Sequence, residues 1–199
     1  MKKIELSDIK NILEYERQRE AFRDRIIQIK KDRRIAVGDL ITFVFENRDT
    51  VLFQIQEMVR AERIVDPAKV QDEIDVYNEL LPGENELSAT MFIEINEASE
   101  IKPTLKRLLG LTRPGTVHLD IGATHRIDGQ IEGGREEEAA GRLSAVQYVK
   151  FAFGPEASDG FCRTDDSAFI VIDHPNYKAR TPVSGNLLAA LRSDLEIAD

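Results

Sequence analysis

Apolar residues recur along this chain with two periods, and the change from one to the other divides it. Up to Leu81 the spacing is mainly helical; from Leu87 onward it mainly alternates. Ser7 stands where it can cap a first helix through about Arg19, with Ile9, Ile12 and Leu13 on one face. The spacing lapses across Glu14 to Glu20 and resumes with Phe22, Ile26 and Ile29, which predicts two helices or one with a break. Ala36 to Phe45 alternates and is rich in β-branched and aromatic residues, so it is expected as one strand. Asn47 or Asp49 then caps a helix ending near Ile64. Asp66-Pro67, a cap residue followed by proline, opens another that carries Val70, Ile74, Tyr77 and Leu81 on one face and stops at Pro82-Gly83.

Leu87 to Ile95 is a clean strand: Leu87, Ala89, Met91, Ile93 and Ile95 point one way, and Ser88, Thr90, Phe92 and Glu94 the other. A short helix over Pro103 to Leu109 is ended by Gly110. Strands are expected over Val117 to Ile121, Thr124 to Ile131, Val146 to Phe153, Ala168 to Ile172 and Tyr177 to Thr181. Ser184 then caps a final helix bearing Leu187, Leu188, Leu191 and Leu195. Glu132 to Arg142 and Gly154 to Gly160 read as polar, turn-rich, mobile loops. Helices that lead and strands that cluster late predict an α+β fold, with a mainly antiparallel sheet, N-terminal helices and a C-terminal helix. The expected organisation is one domain over residues 1–199, helical over about 1–34 and 48–82 and strand-rich over about 86–184.

Charge adds a polarity to this picture. The net charge is −9, yet residues 1–34 carry 11 basic and 7 acidic side chains, concentrated at Lys30-Lys31-Asp32-Arg33-Arg34. A basic helix end offsets the helix dipole and can pair with the acidic remainder. The acidic body disfavours nucleic acid as a partner. Cys162 is the single cysteine, which excludes an intrachain disulfide, a four-cysteine zinc site and a Cys-x-x-Cys pair, and fits a cytoplasmic protein. MKKIELSDIK lacks the apolar core of a signal peptide, and no run approaches the roughly 18 apolar residues of a membrane span.

The run Phe45 to Ile64, FENRDTVLFQIQEMVRAERI, carries more long polar side chains than a helix needs for packing alone. On a helical wheel Val51, Leu52, Ile55, Met58 and Val59 form one arc, and Glu62 falls inside it. A helix continuing through Glu62 would aim a carboxylate at the core beside an already negative C-terminus, which requires a cation; Arg33 and Arg34 are the candidates. A helix that frays at Ala61 would instead release Glu62 to water. Convergence of Arg48, Gln54, Glu57, Glu62 and Arg63, with Tyr77 and Asn78 from the next helix, would make a ligand-binding site for an anion or for acid–base work.

His118 and Asp120 lie two apart on one strand, with His125 past the next turn, so the three form a weak candidate metal set. A His-x-Asp pair on a polar strand face is ordinarily solvated. His174 precedes Pro175 at a strand end, where a hydrogen bond is the simple expectation. Cys162, beside Arg163, reads as a buried inert thiol. Dinucleotide, Walker, nucleophile-elbow and zincin signatures are all missing, so no cofactor and no catalytic residue is assigned.

Taken together, the KKDRR of Lys30–Arg34, the run FENRDTVLFQIQEMVRAERI, the segment DEIDVYNELLPGENELSATMFIE (Asp72–Glu94) and the DHPNY of Asp173–Tyr177 resemble a bacterial domain-of-unknown-function family of about this length. The resemblance implies a setting of redox or oxidative stress, because such proteins are encoded near rubrerythrin and iron–sulfur oxidoreductase proteins. It also implies a histidine where this chain has Gln147, and a proline near Glu20 that this chain lacks. The favoured expectation is a non-catalytic accessory or interaction protein that binds a protein partner or itself. The alternative is an enzyme or small-molecule-binding protein using the Arg/Glu/Gln set above.

Overall fold

The computed structural model describes residues 1–122, 124–131, 140–163 and 167–196. Eight strands form one sheet: β1 (Arg34–Val37), β2 (Ile41–Phe45), β3 (Glu86–Ile93), β4 (Val117–Ile121), β5 (His125–Ile131), β6 (Val146–Ala152), β7 (Ala168–His174) and β8 (Tyr177–Val183). Their spatial order is β1-β2-β3-β6-β5-β4-β7-β8, and every described ladder is antiparallel. The fold is α+β, as the spacing predicts, but the sheet dominates it, and helices α4 (Ile101–Arg107) and α5 (Pro155–Arg163) lie among the strands.

The sheet curls into a near-barrel whose end strands meet. The Tyr177 hydroxyl, at the start of β8, donates to the Val37 carbonyl (2.7 Å) and accepts from the Leu40 N–H (3.0 Å) in the β1–β2 turn. Gly38 in that turn has φ +75, and a Cβ there would sit 2.2 Å from the Tyr177 hydroxyl, so only glycine lets the closure form. Alternate residues fill the interior, among them Phe43, Phe45, Met91, Leu119, Val149, Phe151 and Ile170, all fully buried. An eight-stranded barrel has an interior about wide enough for side chains alone, and this one is packed by them. Gly129 is part of that fit: a Cβ on it would meet Val149 Cγ1 at 2.8 Å.

A helical layer covers the outer face of β2 and β3. It comprises α1 (Ile12–Lys31), α2 (Arg48–Ala61) and α3 (Pro67–Asn78). A second core lies here, formed by Ile4, Val51, Ile55, Val59, Val70, Ile74, Leu80 and Leu81. This cover explains why Ser88 and Thr90, on the polar side of β3, are buried. α6 (Gly185–Glu196) packs Leu187, Leu191 and Leu195 onto the barrel core.

Several expectations need correction. Leu6–Asp8 is a single 3-10 turn; Asn11, not Ser7, caps α1, which runs unbroken through Lys31. Ala36 to Phe45 is a hairpin rather than one strand, because Gly38 turns the chain inside it. The expected loop from Gly154 to Gly160 is helical from its second residue: Pro155 opens α5, which buries Ala157 and Phe161 on the core. The acidic loop expected from Glu132 lies, through residue 139, outside the described residues.

The basic helix end does pair with the acidic remainder. Arg33 is buried; it donates to the Phe45 and Glu46 carbonyls and forms an ion pair with Asp194 of α6, also buried. Burial pushes the Asp194 carboxyl up while Arg33 pulls it down. Arg34 pairs instead with Glu94 at the surface. The DHPNY segment is likewise architectural. His174 Nδ1 accepts the Asn176 N–H (3.1 Å), which leaves Nε2 to donate to the Leu109 carbonyl (3.0 Å). Asn176 Nδ2 donates to the Arg107 carbonyl (2.8 Å). The Arg107 carbonyl, orphaned at the end of α4, and the Leu109 carbonyl just beyond the helix are satisfied in this way.

Candidate functional site

The polar side chains of α2 hold neighbouring segments rather than line one cavity. Asn47 caps the helix by accepting the Thr50 N–H. Arg48 pairs with Asp8 at 2.5 Å. Gln56 makes a two-point clamp on the Lys10 main chain, accepting its N–H (2.7 Å) and donating to its carbonyl (3.0 Å). Glu57 accepts from Arg19 (2.7 and 2.8 Å) and from the Tyr15 hydroxyl (2.8 Å), tying α1 to α2. The Arg19 bonds hold the Glu57 carboxyl down at about 2, against burial, and the Tyr15 bond adds to them. Burial, then Glu57 itself, pushes the Tyr15 phenol up.

The helix ends at Ala61. Glu62 is its exposed C-cap residue and Arg63 follows with φ +54, so of the two readings of Glu62 the structure has the one in which the helix ends at Ala61 and Glu62 reaches water, and a buried pairing with Arg33 or Arg34 does not form. The buried carboxylate of this run is Glu46. It lies beneath α2, accepting from Thr50, Gln54 (3.1 Å) and Thr90 (2.5 Å). Of the candidate ligand residues, Arg48 thus serves the N-terminal turn, Gln54 the sheet, Glu57 α1, and Asn78 the main chain of Ile4, through bonds of 2.9 Å to its N–H and its carbonyl. Glu62 and Arg63 reach solvent. The seven residues chosen as one site do not converge on one cavity: Arg48, Gln54, Glu57 and Asn78 are each taken by a different segment of the fold, while Tyr77 lines a groove between α3 and the sheet.

The candidate metal set divides as well. His118 and Asp120 face outward with Nε2 and Oδ1 3.5 Å apart, while His125 opposes Ile121 in the β4–β5 register and faces the other way. No cluster of three metal-ligating side chains occurs among the described residues. Burial, then the nearby Arg126 charge, holds His118 below the usual imidazole range. Gln147 stands inside the barrel at the expected histidine position, buried and donating to the Ser144 carbonyl (3.1 Å). Cys162 is half-buried against the barrel core.

Two cavities bear on function. One of about 540 Å³ lies between α1 and α2; of its three cations Arg25 pairs with Asp49 (2.8 Å) and Lys10 bonds to Gln18, while Arg17 forms no ion pair among the described residues. The other, about 480 Å³, is a groove between α3 and the outer face of β3 and β6. Val76, Tyr77 and Leu80 form one wall, Ser88, Tyr148 and Lys150 the floor, and Glu73 and Glu79 stand at its edge. The register sets Ser88 opposite Lys150 and Thr90 opposite Tyr148. α3 turns Val70 and Ile74 into the helical core, which leaves Val76 67% exposed on the groove side. Across from it Tyr148 is 43% exposed, and Val146, on the same strand face, 39%. Burial pushes the Tyr77 phenol up, reinforced by Tyr148, Glu73 and Glu62. Sequence reasoning selects Tyr77 but misses Val76 and Tyr148. The available signal is Val76 standing off the apolar stripe of its own helix.

The family described as "Protein of unknown function (DUF3501)" matches residues 3–195, and the chain belongs to it. A crystal structure described as a novel protein of unknown function, from Burkholderia pseudomallei K96243, is similar over 98% of this chain and 100% of that one, with 26% identity and a TM-score of 0.88. No curated protein matches this chain. No helix among the described residues is long and apolar enough to cross a membrane.

Proposed function

We propose that this DUF3501 protein is a non-catalytic interaction protein whose contact surface for a protein partner is the groove between α3 and β6. The observation that carries this reading is the grouping of exposed apolar side chains there. Val76 and Tyr148 face one another across a 480 Å³ groove, with Val146 alongside. Contiguous exposed apolar surface of this kind marks a binding site more often than chance packing. Supporting it, Arg48, Gln54 and Glu57 of α2 are engaged in joining segments of the fold. The cytoplasmic redox or oxidative-stress setting is part of the proposal and rests on the family resemblance and the single cysteine. A small molecule is the second reading, since the groove volume falls within the roughly 300–1,000 Å³ of small-molecule sites.

Site-specific photocrosslinking in native cells separates the two. A photoreactive phenylalanine analogue in place of Val76 is expected to give a discrete protein adduct that the same analogue at Leu13, an exposed position on α1, does not. Equal adducts at both positions, or none at Val76, overturn the proposal.

A further inference from the structure

The groove's charges restrict what fits it, and this step rests on the reading just given. Three carboxylates surround the groove's α3 wall: Glu73 and Glu79 line the groove edge, and Glu62, at the end of α2, lies outside the lining and acts with Glu73 on the Tyr77 phenol. None of the three is in an ion pair among the described residues. The one cation in the groove, Lys150, is taken by Glu86 at 3.2 Å. The site is therefore apolar along its α3 wall and at Tyr148, and negative at its rim. An acidic or neutral segment would desolvate those carboxylates without compensation, whereas a cation beside an apolar anchor would pair with them and find the faces of Tyr77 and Tyr148 nearby.

We infer that the segment docking between α3 and β6 is an apolar peptide stretch flanked by lysine or arginine, its apolar side chains seated against Val76 and Tyr148 and its cations against Glu62, Glu73 and Glu79. Exposed ion pairs are individually worth a few-fold in affinity, so loss of all three carboxylates should weaken binding by about tenfold. The contribution should fall with added salt.

The test uses the full chain as target for a phage library of random linear peptides. Enriched peptides are expected to combine large apolar residues with Lys or Arg and to lose binding to Val76→Glu. By fluorescence anisotropy they should bind the combined Glu62→Gln, Glu73→Gln, Glu79→Gln variant about tenfold more weakly; unchanged melting confirms that both variants fold. Enriched peptides that need Val76 but are neutral or acidic, or that bind the triple variant equally, overturn the charge assignment and leave the groove reading intact. A yield with no Val76-dependent peptide overturns both. Self-association in solution that Val76→Glu abolishes identifies a second copy as the occupant and overturns the peptide assignment.

Discussion

Glu57 concentrates the electrostatics of the helical layer in one side chain. Its carboxyl, held at about 2 against a usual 4.5, takes two bonds from Arg19 and one from Tyr15. A depressed carboxyl contributes stability that is present above the unfolded value and is lost as pH falls through the folded one. The window is therefore about pH 4.5 down to about pH 2. A quarter of the side chain is exposed, and a third of Arg19, so screening reduces the contribution to about 1–2 kcal/mol. Glu57→Gln should lower unfolding free energy by that amount at neutral pH, and the gap to the unaltered protein should narrow as urea titrations move from pH 7 towards pH 3. A gap that is constant with pH would mean that packing, not charge, is what Glu57 supplies.

At the scale of elements, the helical layer is attached to the N-terminal segment by two side-chain amides. Asn78 of α3 takes both main-chain groups of Ile4, and Gln56 of α2 both of Lys10. Each substitution to alanine leaves two main-chain groups unpaired, at a cost of about 1–3 kcal/mol. The combined Gln56→Ala, Asn78→Ala variant should release the first residues to protease while the strands keep their hydrogen-exchange protection; simultaneous loss in both regions would place these clamps in the global folding unit. Such bonds are invisible to sequence periodicity, which reads the density of polar groups on α2 as a site. What periodicity does read is local: the Asp66-Pro67 start, the Asn47 cap, the alternation of β3. It misreads elements where local chemistry is ambiguous, as in the hairpin turned by Gly38 or in α5, whose Gly154-Pro155 opening resembles a turn. It leaves Glu62 between core and water because a wheel has no end; a helix that stops at Ala61 decides for water. The groove escapes it for a different reason: Val76 and Tyr148 come from a helix and a strand distant in sequence, and only the tertiary fold sets them face to face.

For the whole molecule, the decisive event is closure. β1 and β8 are the ends of the strand order, and the Tyr177 hydroxyl joins them by one donated and one accepted bond. Burial raises the Tyr177 phenol, so it remains protonated, and able to donate, well beyond neutral pH. Tyr177→Phe keeps the ring and removes both bonds, leaving the Val37 carbonyl and Leu40 N–H to find water, for a loss of about 1–3 kcal/mol. The groove lies across β3 and β6, with β5, β4 and β7 between β6 and β8 in the order, and none of its lining residues touches the Tyr177 bonds. If the near-barrel is a scaffold and the groove a surface built on it, Tyr177→Phe should speed hydrogen exchange in the β1–β2 turn and along β8 while groove ligands bind with unchanged affinity. Weakened binding alongside local opening would instead show that closure of the sheet sets the distance between α3 and β6, and would make the barrel a part of the recognition device.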